Sequence, residues 1–264
     1  MPHRYLLRGD APLEEKTWNL LDSTMMGAAK SFLSGRKMLV IEGPYGYSLK
    51  AIPLEDCMGD GGVITSCVLP VDLIQTTFSL SRRDLAAYER DGLYLNADVV
   101  ACAAIDLARL EDAIIFQGST GKNGLMTVEG SGTYTLSSWN TVGKAADDII
   151  RAITALDEAG FHGPYTMALN PARYNLLLRR YPQGGTELEH IREMATEGVF
   201  KAPIIDSGGV ILAAGQQYRS LILGQDMRVG FIGPVAENLE FTISESLALL
   251  VREPCAICVL KEKL

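Results

Sequence analysis

Two extended segments joined by a glycine-rich tip constrain the fold of this chain most strongly. Residues 38–52 and 63–80 are rich in β-branched and aromatic residues, and the thin segment PLEDCMGDGG lies between them. Because no helical pattern accompanies them, the two strands predict a projecting arm. An isolated two-stranded ribbon is marginal in water, so we expect this arm to pair with another part of an assembly.

Composition narrows the classes of protein that remain. The 264 residues carry 32 acidic and 24 basic side chains, a net charge of −8, which argues against a general nucleic-acid binder. Mean hydropathy is slightly apolar at +0.11, yet no apolar run approaches the ~18 residues that span a bilayer. We therefore expect no membrane segment, and burial of the surplus apolar surface against other chains.

The N-terminal residues and the cysteines predict a cytoplasmic protein. Residues 1–16 contain only a short apolar run before Arg8 and Asp10, unlike a secretory signal. The cysteines are odd in number and scattered, which favours reduced thiols over a disulfide framework. They are Cys57, Cys67, Cys102, Cys255 and Cys258. The last two form a C-x-x-C spacing on a predicted strand, where we interpret them as buried apolar residues.

Helical patterns alternate irregularly with strands, which predicts an α+β fold. Asp10 is predicted to cap a first helix that Gly35 ends, with one apolar stripe comprising Trp18, Leu21, Met25, Ala28 and Phe32. Ser81 and Asp84 resemble a capping box for a short helix ending near Gly92. A longer helix follows, and its predicted apolar face comprises Val100, Ala103, Ala104, Leu107, Leu110 and Ile114. The segment 118–138 is the best internal boundary.

No constellation of residues indicates catalysis. GSTGKNG at 118–124 lacks the spacing of a phosphate loop and is interpreted as a flexible turn. His3, His162 and His190 are scattered and are interpreted as solvated or locally paired. Three pairs of acidic residues are neighbours in sequence: Glu14–Glu15, Glu111–Asp112 and Asp147–Asp148. Because the side chains of adjacent residues on a helix point in different directions, we predict that these pairs lie on solvated faces rather than act together in acid–base catalysis or metal binding. No metal site is predicted, and a structural or assembly role is favoured.

Five strings then indicate a family. They are APLEEKTWNLLD at 11–22, GRKMLVIEGPYGY at 35–47, LEDAIIFQG at 110–118, GPYTMALNPARY at 163–174 and LILGQDMRVGF at 221–231. Together they closely resemble the encapsulin shell proteins, which have the HK97 phage capsid-like fold. The resemblance spans nearly the whole chain and is weakest in the arm and in residues 180–220.

The resemblance implies a three-part subunit and a closed shell. The P-domain would comprise 1–45, 76–131 and 222–245, the E-loop 46–75, and the A-domain 132–221 and 246–264. The chain length is similar to that of relatives whose sixty equivalent copies form the smallest icosahedral (T=1) shell. Tyr181, Pro182, Gln183, Gly184, Gly185 and Thr186 fall where the family places its fivefold pore loop.

The resemblance also implies a cargo site. In this family a C-terminal peptide of a cargo enzyme binds the lumenal wall, and by position the groove would contain Phe32, Leu33, Arg36, Met38, Val40, Asp226, Val229 and Phe231. An apolar groove with a few charges suits an extended peptide. A ferritin-like protein or a dye-decolourising peroxidase is the implied cargo, for iron storage or oxidative-stress defence. Some relatives stack a flavin on a tryptophan where this chain has Arg83, so no cofactor is predicted.

Two alternatives remain. The chain could be the major capsid protein of a phage or prophage, although the P-domain-like motif begins by residue 11 and leaves no room for the scaffolding segment of many such capsids. A peptidase is the second alternative, against which no catalytic set is visible.

Overall fold

The structure is a computed structural model that describes residues 4–263, and it mixes helices with β-sheets. His3 lies outside the described residues. The helices are α1 Glu15–Phe32, α2 Arg82–Asp91, α3 Asp98–Phe116, α4 Lys144–Glu158, α5 Pro171–Leu176 and α6 Glu187–Met194. The strands are β1 Val40–Glu42, β2 Ala51–Met58, β3 Ile64–Pro70, β4 Asp72–Ser81, β5 Gly118–Ser119, β6 Lys122–Asn123, β7 Gly132–Leu136, β8 Tyr165–Leu169, β9 Val199–Lys201, β10 Gly209–Ala213, β11 Arg219–Val235, β12 Asn238–Val251 and β13 Ile257–Glu262.

The chain forms two compact units. The first comprises residues 1–33, 42–111 and 222–248, and the second comprises 34–41, 112–221 and 249–264. The division into P-domain, E-loop and A-domain stays a prediction.

The arm of the first unit is the predicted two-stranded ribbon. Strands β2 and β3 pair antiparallel, with Met58 opposite Ile64, and β4 continues into the main sheet. Cys57 and Cys67 form a disulfide across this ribbon, so the prediction of reduced thiols is wrong for these two residues. The bulge between Pro53 and Asp56 sets a register in which the two cysteines are near neighbours on adjacent strands.

A four-stranded sheet has the order β1-β11-β12-β4, and its strands β11, β12 and β4 lie mainly in the first unit. In the antiparallel β12–β4 pair Phe241 lies opposite Phe78, and the two rings stack 5.2 Å apart. Trp18 of α1 meets Phe241 edge-on at 5.9 Å, so the predicted stripe of α1 does face a core. Such aromatic contacts add to the stabilisation that apolar burial provides.

Several predicted helix limits need correction. Helix α1 begins at Glu15 rather than after Asp10, because Asp10 closes a short 3-10 turn, and it ends at Phe32 before a second 3-10 turn at Gly35–Lys37. In α3, Leu110 is exposed and Ile115 is fully buried, so the C-terminal part of the predicted stripe is wrong by one position. The cap of α2 is confirmed: the Ser81 side chain accepts a hydrogen bond from the backbone N–H of Asp84.

The second unit contains a five-stranded sheet of order β7-β13-β10-β8-β9. Its central strands β10, β13 and β8 are antiparallel, whereas β7 and β9 add parallel edges. Helices α4 and α6 cover an apolar core that includes Trp139, Met167 and Ile211. Cys258 is buried as predicted, but Cys255 is exposed because it lies in a 3-10 turn, Pro254–Ala256, rather than on the strand.

Candidate pore loop and docking residues

The predicted pore loop is a tight turn that precedes α6. A single bridge joins Arg180 to Thr186, and the N–H of Tyr181 donates to the carbonyl of Gly185 at 3.1 Å. Gly184 and Gly185 have φ of 96° and 76°, a region that favours glycine. Residues 182–185 are exposed, so the tip of the loop presents backbone and small side chains to solvent.

The loop has a firmly held base. Thr186 caps α6 in a reciprocal capping box with Glu189, and the next residue, Glu187, has no exposed surface. The Glu187 carboxylate accepts hydrogen bonds from the backbone N–H groups of Gly143 and Ala146 at the start of α4, at 2.9 and 3.0 Å. A carboxylate at a helix N-terminus is stabilised by the unpaired N–H groups and the helix dipole. The loop is thereby tied to α4 as well as to α6.

Tyr181 and His190 meet beside the loop. The Tyr181 hydroxyl lies 3.3 Å from His190 Nδ1, and the rings are 6.2 Å apart in an edge-on arrangement. Partial burial, then the negative charges of Glu187 and Asp147, raise the pKa of the Tyr181 phenol. The ring therefore stays a neutral hydroxyl at physiological pH. His190 is exposed and locally paired, as predicted.

Five of the predicted docking residues lie in the first unit, and most of them are core residues. Val229 is fully buried, and Leu33 and Phe231 are nearly so. Phe231 packs 5.6 Å from the ring of Phe241. Phe32 is half-buried at the end of α1, with the guanidinium of Arg109 5.2 Å above its ring.

Asp226 is the fifth of these residues and is half-buried on β11, where its carboxylate accepts the backbone N–H of Met227 at 2.9 Å. Phe32 and Asp226 are therefore the members of this set that are partly exposed.

The other three docking residues lie in the second unit, just after α1. Arg36 is half-buried, Met38 is 6% exposed and Val40 is 42% exposed. Met38 and Val40 line the same cavity, together with Lys37, Leu39, Thr166, Glu197, Ala214, Gly215 and Arg219. The structure therefore brings Met38 and Val40 together at one opening.

A buried carboxylate fixes the turn that carries these three residues, and the sequence reasoning missed it. Asp112 accepts the Ser34 hydroxyl at 2.6 Å and the backbone N–H groups of Ser34 and Gly35 at 3.0 and 2.9 Å. Burial raises the pKa of Asp112, and these hydrogen bonds oppose that shift. A Cβ added at Gly35 would lie 2.7 Å from Ile115 Cδ1, so a larger residue there would force the Ile115 side chain to shift.

The predicted solvated acidic pairs are therefore partly wrong. Glu111, Asp112 and Asp148 are buried, because each takes the core-facing position of its helix. Asp148 accepts hydrogen bonds from the indole N–H of Trp139 at 2.8 Å and from the backbone and hydroxyl of Ser137. For Asp147 and Asp148 the helical period was the signal, because it places one of the two on the inner face, but it does not account for Glu111 and Asp112, which are both buried.

Other predicted features have local roles. Within residues 4–263 no group of three or more His, Cys, Asp or Glu side chains has the arrangement of a metal site. Over the same residues no helix is long and apolar enough to cross a bilayer. The segment 118–124 forms the β5–β6 hairpin rather than a flexible turn. His162 is exposed and lies 3.2 Å from Asp157, and Arg83 is exposed on α2.

Comparisons with known sequences agree over almost the full length. A family model described as "Encapsulating protein for peroxidase" matches residues 3–248. The type 1 encapsulin shell protein EncA of Myxococcus xanthus is 31% identical over 97% of this chain and 96% of its own length. A ferritin-like-encapsulin shell fusion protein of Pyrococcus furiosus is 27% identical over 92% of this chain and 66% of its own length.

Comparisons with solved structures give the fold. A virus-like particle from Pyrococcus furiosus matches with a TM-score of 0.76 and 23% identity, covering 93% of this chain and 99% of the other. The capsid of Myoviridae phage XM1 matches with a TM-score of 0.61 and 14% identity, covering 86% of this chain and 90% of the other. The predicted α+β, HK97-like capsid fold is confirmed.

Proposed function

The chain belongs to the family of encapsulin shell proteins, and from that premise we propose that sixty copies assemble into a T=1 icosahedral nanocompartment in the cytoplasm. The shell would enclose cargo enzymes that carry a C-terminal targeting peptide. Its role is structural, and the chemistry belongs to the cargo.

The arm carries this proposal. Met58 is 79% exposed and Ile64 63% exposed, and Val63 and Val68 are also more than half exposed on the same ribbon. A two-stranded ribbon with this much exposed apolar surface is not independently stable in water. Its surface is explained if the arm lies against neighbouring copies in a closed shell, where a symmetric assembly buries every arm equally.

The cargo peptide would bind at the surface that the docking residues offer. Within the first unit the half-buried Phe32 presents apolar surface and Asp226 supplies a charge, and within the second unit Val40 presents apolar surface. Leu33, Val229 and Phe231 are buried in the first unit, where they would support Phe32 and Asp226 rather than contact the peptide. An extended peptide fits such a surface through apolar anchors, and a multimeric cargo engages several sites at once, which strengthens weak individual contacts.

We propose a ferritin-like protein as the first cargo to test and a dye-decolourising peroxidase as the second. A relative in which the shell is fused to a ferritin-like domain supports the first choice. Iron storage or oxidative-stress defence would follow from the cargo. The loop 181–186, with its exposed glycines, would line the fivefold opening through which small solutes pass.

Assembly and its dependence on the arm test the proposal. Electron microscopy of the purified chain should show uniform closed particles. The double variant Met58→Asp, Ile64→Asp should yield unassembled subunits, whereas the matched apolar variant Met58→Leu, Ile64→Val should still form shells. Wild-type particles filled with nucleic acid would instead support a phage or prophage capsid and overturn the proposal.

A further inference from the structure

A buried arginine faces a cavity that lies wholly in the second unit. The cavity has a volume of about 120 Å³ and is lined by residues 37–40, by Thr166 and Glu197, and by Ala214, Gly215 and Arg219. A single water needs only ~10–15 Å³ of such space. The cavity therefore has room for a group the size of a carboxylate.

The charge of Arg219 is incompletely compensated. Its side chain is 2% exposed, and its guanidinium donates to two neutral acceptors, the backbone carbonyls of Ala213 and Ala256. Within residues 4–263, no carboxylate forms an ion pair with it. Burial lowers the pKa of Arg219 to about 10, opposed by the neighbouring Tyr218, so the group stays charged at neutral pH.

The lining defines the chemistry of a fitting ligand. A buried cation gains most from an anion that offers charge-assisted hydrogen bonds, and a carboxylate matches a guanidinium in shape. Met38, Leu39 and Val40 form an apolar wall on the side of the β1 segment. The cavity therefore suits a carboxylate attached to an apolar group rather than a bare inorganic anion.

Two exposed side chains at the cavity act in opposite directions. Lys37 adds positive charge, whereas Glu197 adds negative charge and opposes an incoming anion. Both are solvated, so each has a smaller effect than Arg219. Their opposite signs give a test in which one substitution should strengthen binding.

We propose that this cavity binds the C-terminal carboxylate of the docked cargo peptide, with Arg219 as its counter-ion and Met38 and Val40 against the last side chain. This inference rests on the proposed function, because it takes the targeting peptide to lie at the cargo's C-terminus. It adds the free carboxylate as a group that the shell recognises.

A matched pair of probes tests the ligand chemistry on the assembled, empty shell. N-acetylalanine and N-acetylalaninamide differ only in the carboxylate, and their binding can be measured by saturation-transfer NMR. We expect the acid to bind at least tenfold more tightly than the amide. Equal binding, or binding of neither, would overturn the inference, as would displacement of the acid by inorganic phosphate at equal concentration.

Variants on the protein side test the location. Glu197→Gln removes the opposing charge and should tighten N-acetylalanine binding severalfold, whereas Glu193→Gln, an exposed position of α6 outside the cavity, should leave it unchanged. Arg219→Gln should abolish binding, but it also removes buried hydrogen bonds and can unfold the subunit. The Glu197 variant does not share that risk, and an unchanged affinity in it would place the site elsewhere.

A loading experiment separates this inference from the proposed function. The cargo that co-purifies with the shell is produced with its native C-terminus and with a short Gly-Ser extension beyond it. The inference predicts at least a tenfold loss of loading for the extended form. Equal loading of both forms would overturn the carboxylate site while leaving encapsulation standing, whereas a shell that encloses neither form would contradict the proposed function itself.

Discussion

The carboxylate of Asp148 accepts the indole N–H of Trp139 at 2.8 Å inside the core of the second unit. The same carboxylate also receives the Ser137 N–H and hydroxyl and the Tyr134 hydroxyl, so it joins β7, the following loop and α4. Four donors therefore converge on one buried anion.

We expect Asp148→Ala to lower the free energy of unfolding by about 3 kcal/mol, because it leaves the indole N–H and other donors without an acceptor. Chemical denaturation followed by tryptophan fluorescence measures this change. Asp147→Ala, at the exposed neighbouring position, is the control and should change stability by less than about 0.5 kcal/mol. Equal effects of the two substitutions would contradict the assigned role.

The same carboxylate predicts a pH dependence. Burial alone would raise the pKa of Asp148, but the hydrogen bonds from Trp139, Ser137 and Tyr134 outweigh it and lower the pKa below its usual value. The stabilisation is therefore present above the unfolded-state pKa of about 3.9 and is lost as the pH falls through the folded-state pKa. The melting temperature of wild type, measured as a function of pH, should fall more steeply below about pH 4. In Asp148→Asn, which cannot titrate at this position, that additional fall should be absent.

Gly35→Ala should destabilise the subunit by about 1–3 kcal/mol, because its Cβ would lie 2.7 Å from Ile115 Cδ1. The double variant Gly35→Ala, Ile115→Ala removes the side chain that the new Cβ would meet. Its loss of stability should therefore be smaller than the sum of the losses of the two single variants. Gly27→Ala is the matched control. That position is in α1 with nothing within 4 Å of the added Cβ, so it should gain about 0.5–1 kcal/mol. Thermal denaturation of all the variants measures these differences in stability.

Glu187→Ala should cost about 2 kcal/mol, because it removes the acceptor for two N–H groups at the start of α4 and the ion-pair partner of Arg179. Local hydrogen exchange should rise at Gly143 and Ala146 and in the loop 181–186. Glu193→Ala, exposed on the same helix α6, should leave exchange at these positions unchanged. Faster exchange spread evenly over the unit would contradict a local anchoring role.

The disulfide between Cys57 and Cys67 should keep the arm paired in the free subunit. Limited proteolysis should cut the arm of the double variant Cys57→Ser, Cys67→Ser faster than that of wild type. Without the disulfide the two strands separate more easily, which exposes their backbone to the protease. Adding reductant should accelerate wild-type cleavage to the rate of the variant and leave the variant unchanged. Cys102→Ser, an exposed free thiol, is the control.

Local patterns predicted what depends on neighbours in sequence. The arm and the Ser81 cap are examples, because strand alternation and capping act over a few residues. The interactions of Asp112 with Ser34, 78 residues away, and of Glu187 with Gly143 were invisible, because their partners are set by tertiary packing. The disulfide was missed for the same reason, since the bulge that sets its register has no simple sequence signal.

The docking residues show what an alignment can predict and what it cannot. The resemblance gave positions by alignment, but burial decides which of them can touch a ligand, and Val229 has no surface to offer. Arg219 was not predicted at all, because a lone arginine in an apolar strand has no motif. Only the sheet geometry places it beside Met38 and Val40.

The mass of the native particle tests the central claim most directly. Charge-detection mass spectrometry of the purified, empty shell should give a single species of about 1.7 MDa, the mass of sixty 28.6 kDa chains. The Met58→Asp, Ile64→Asp variant should give free subunits or small oligomers. A wild-type chain that stays monomeric under the same conditions would contradict the account.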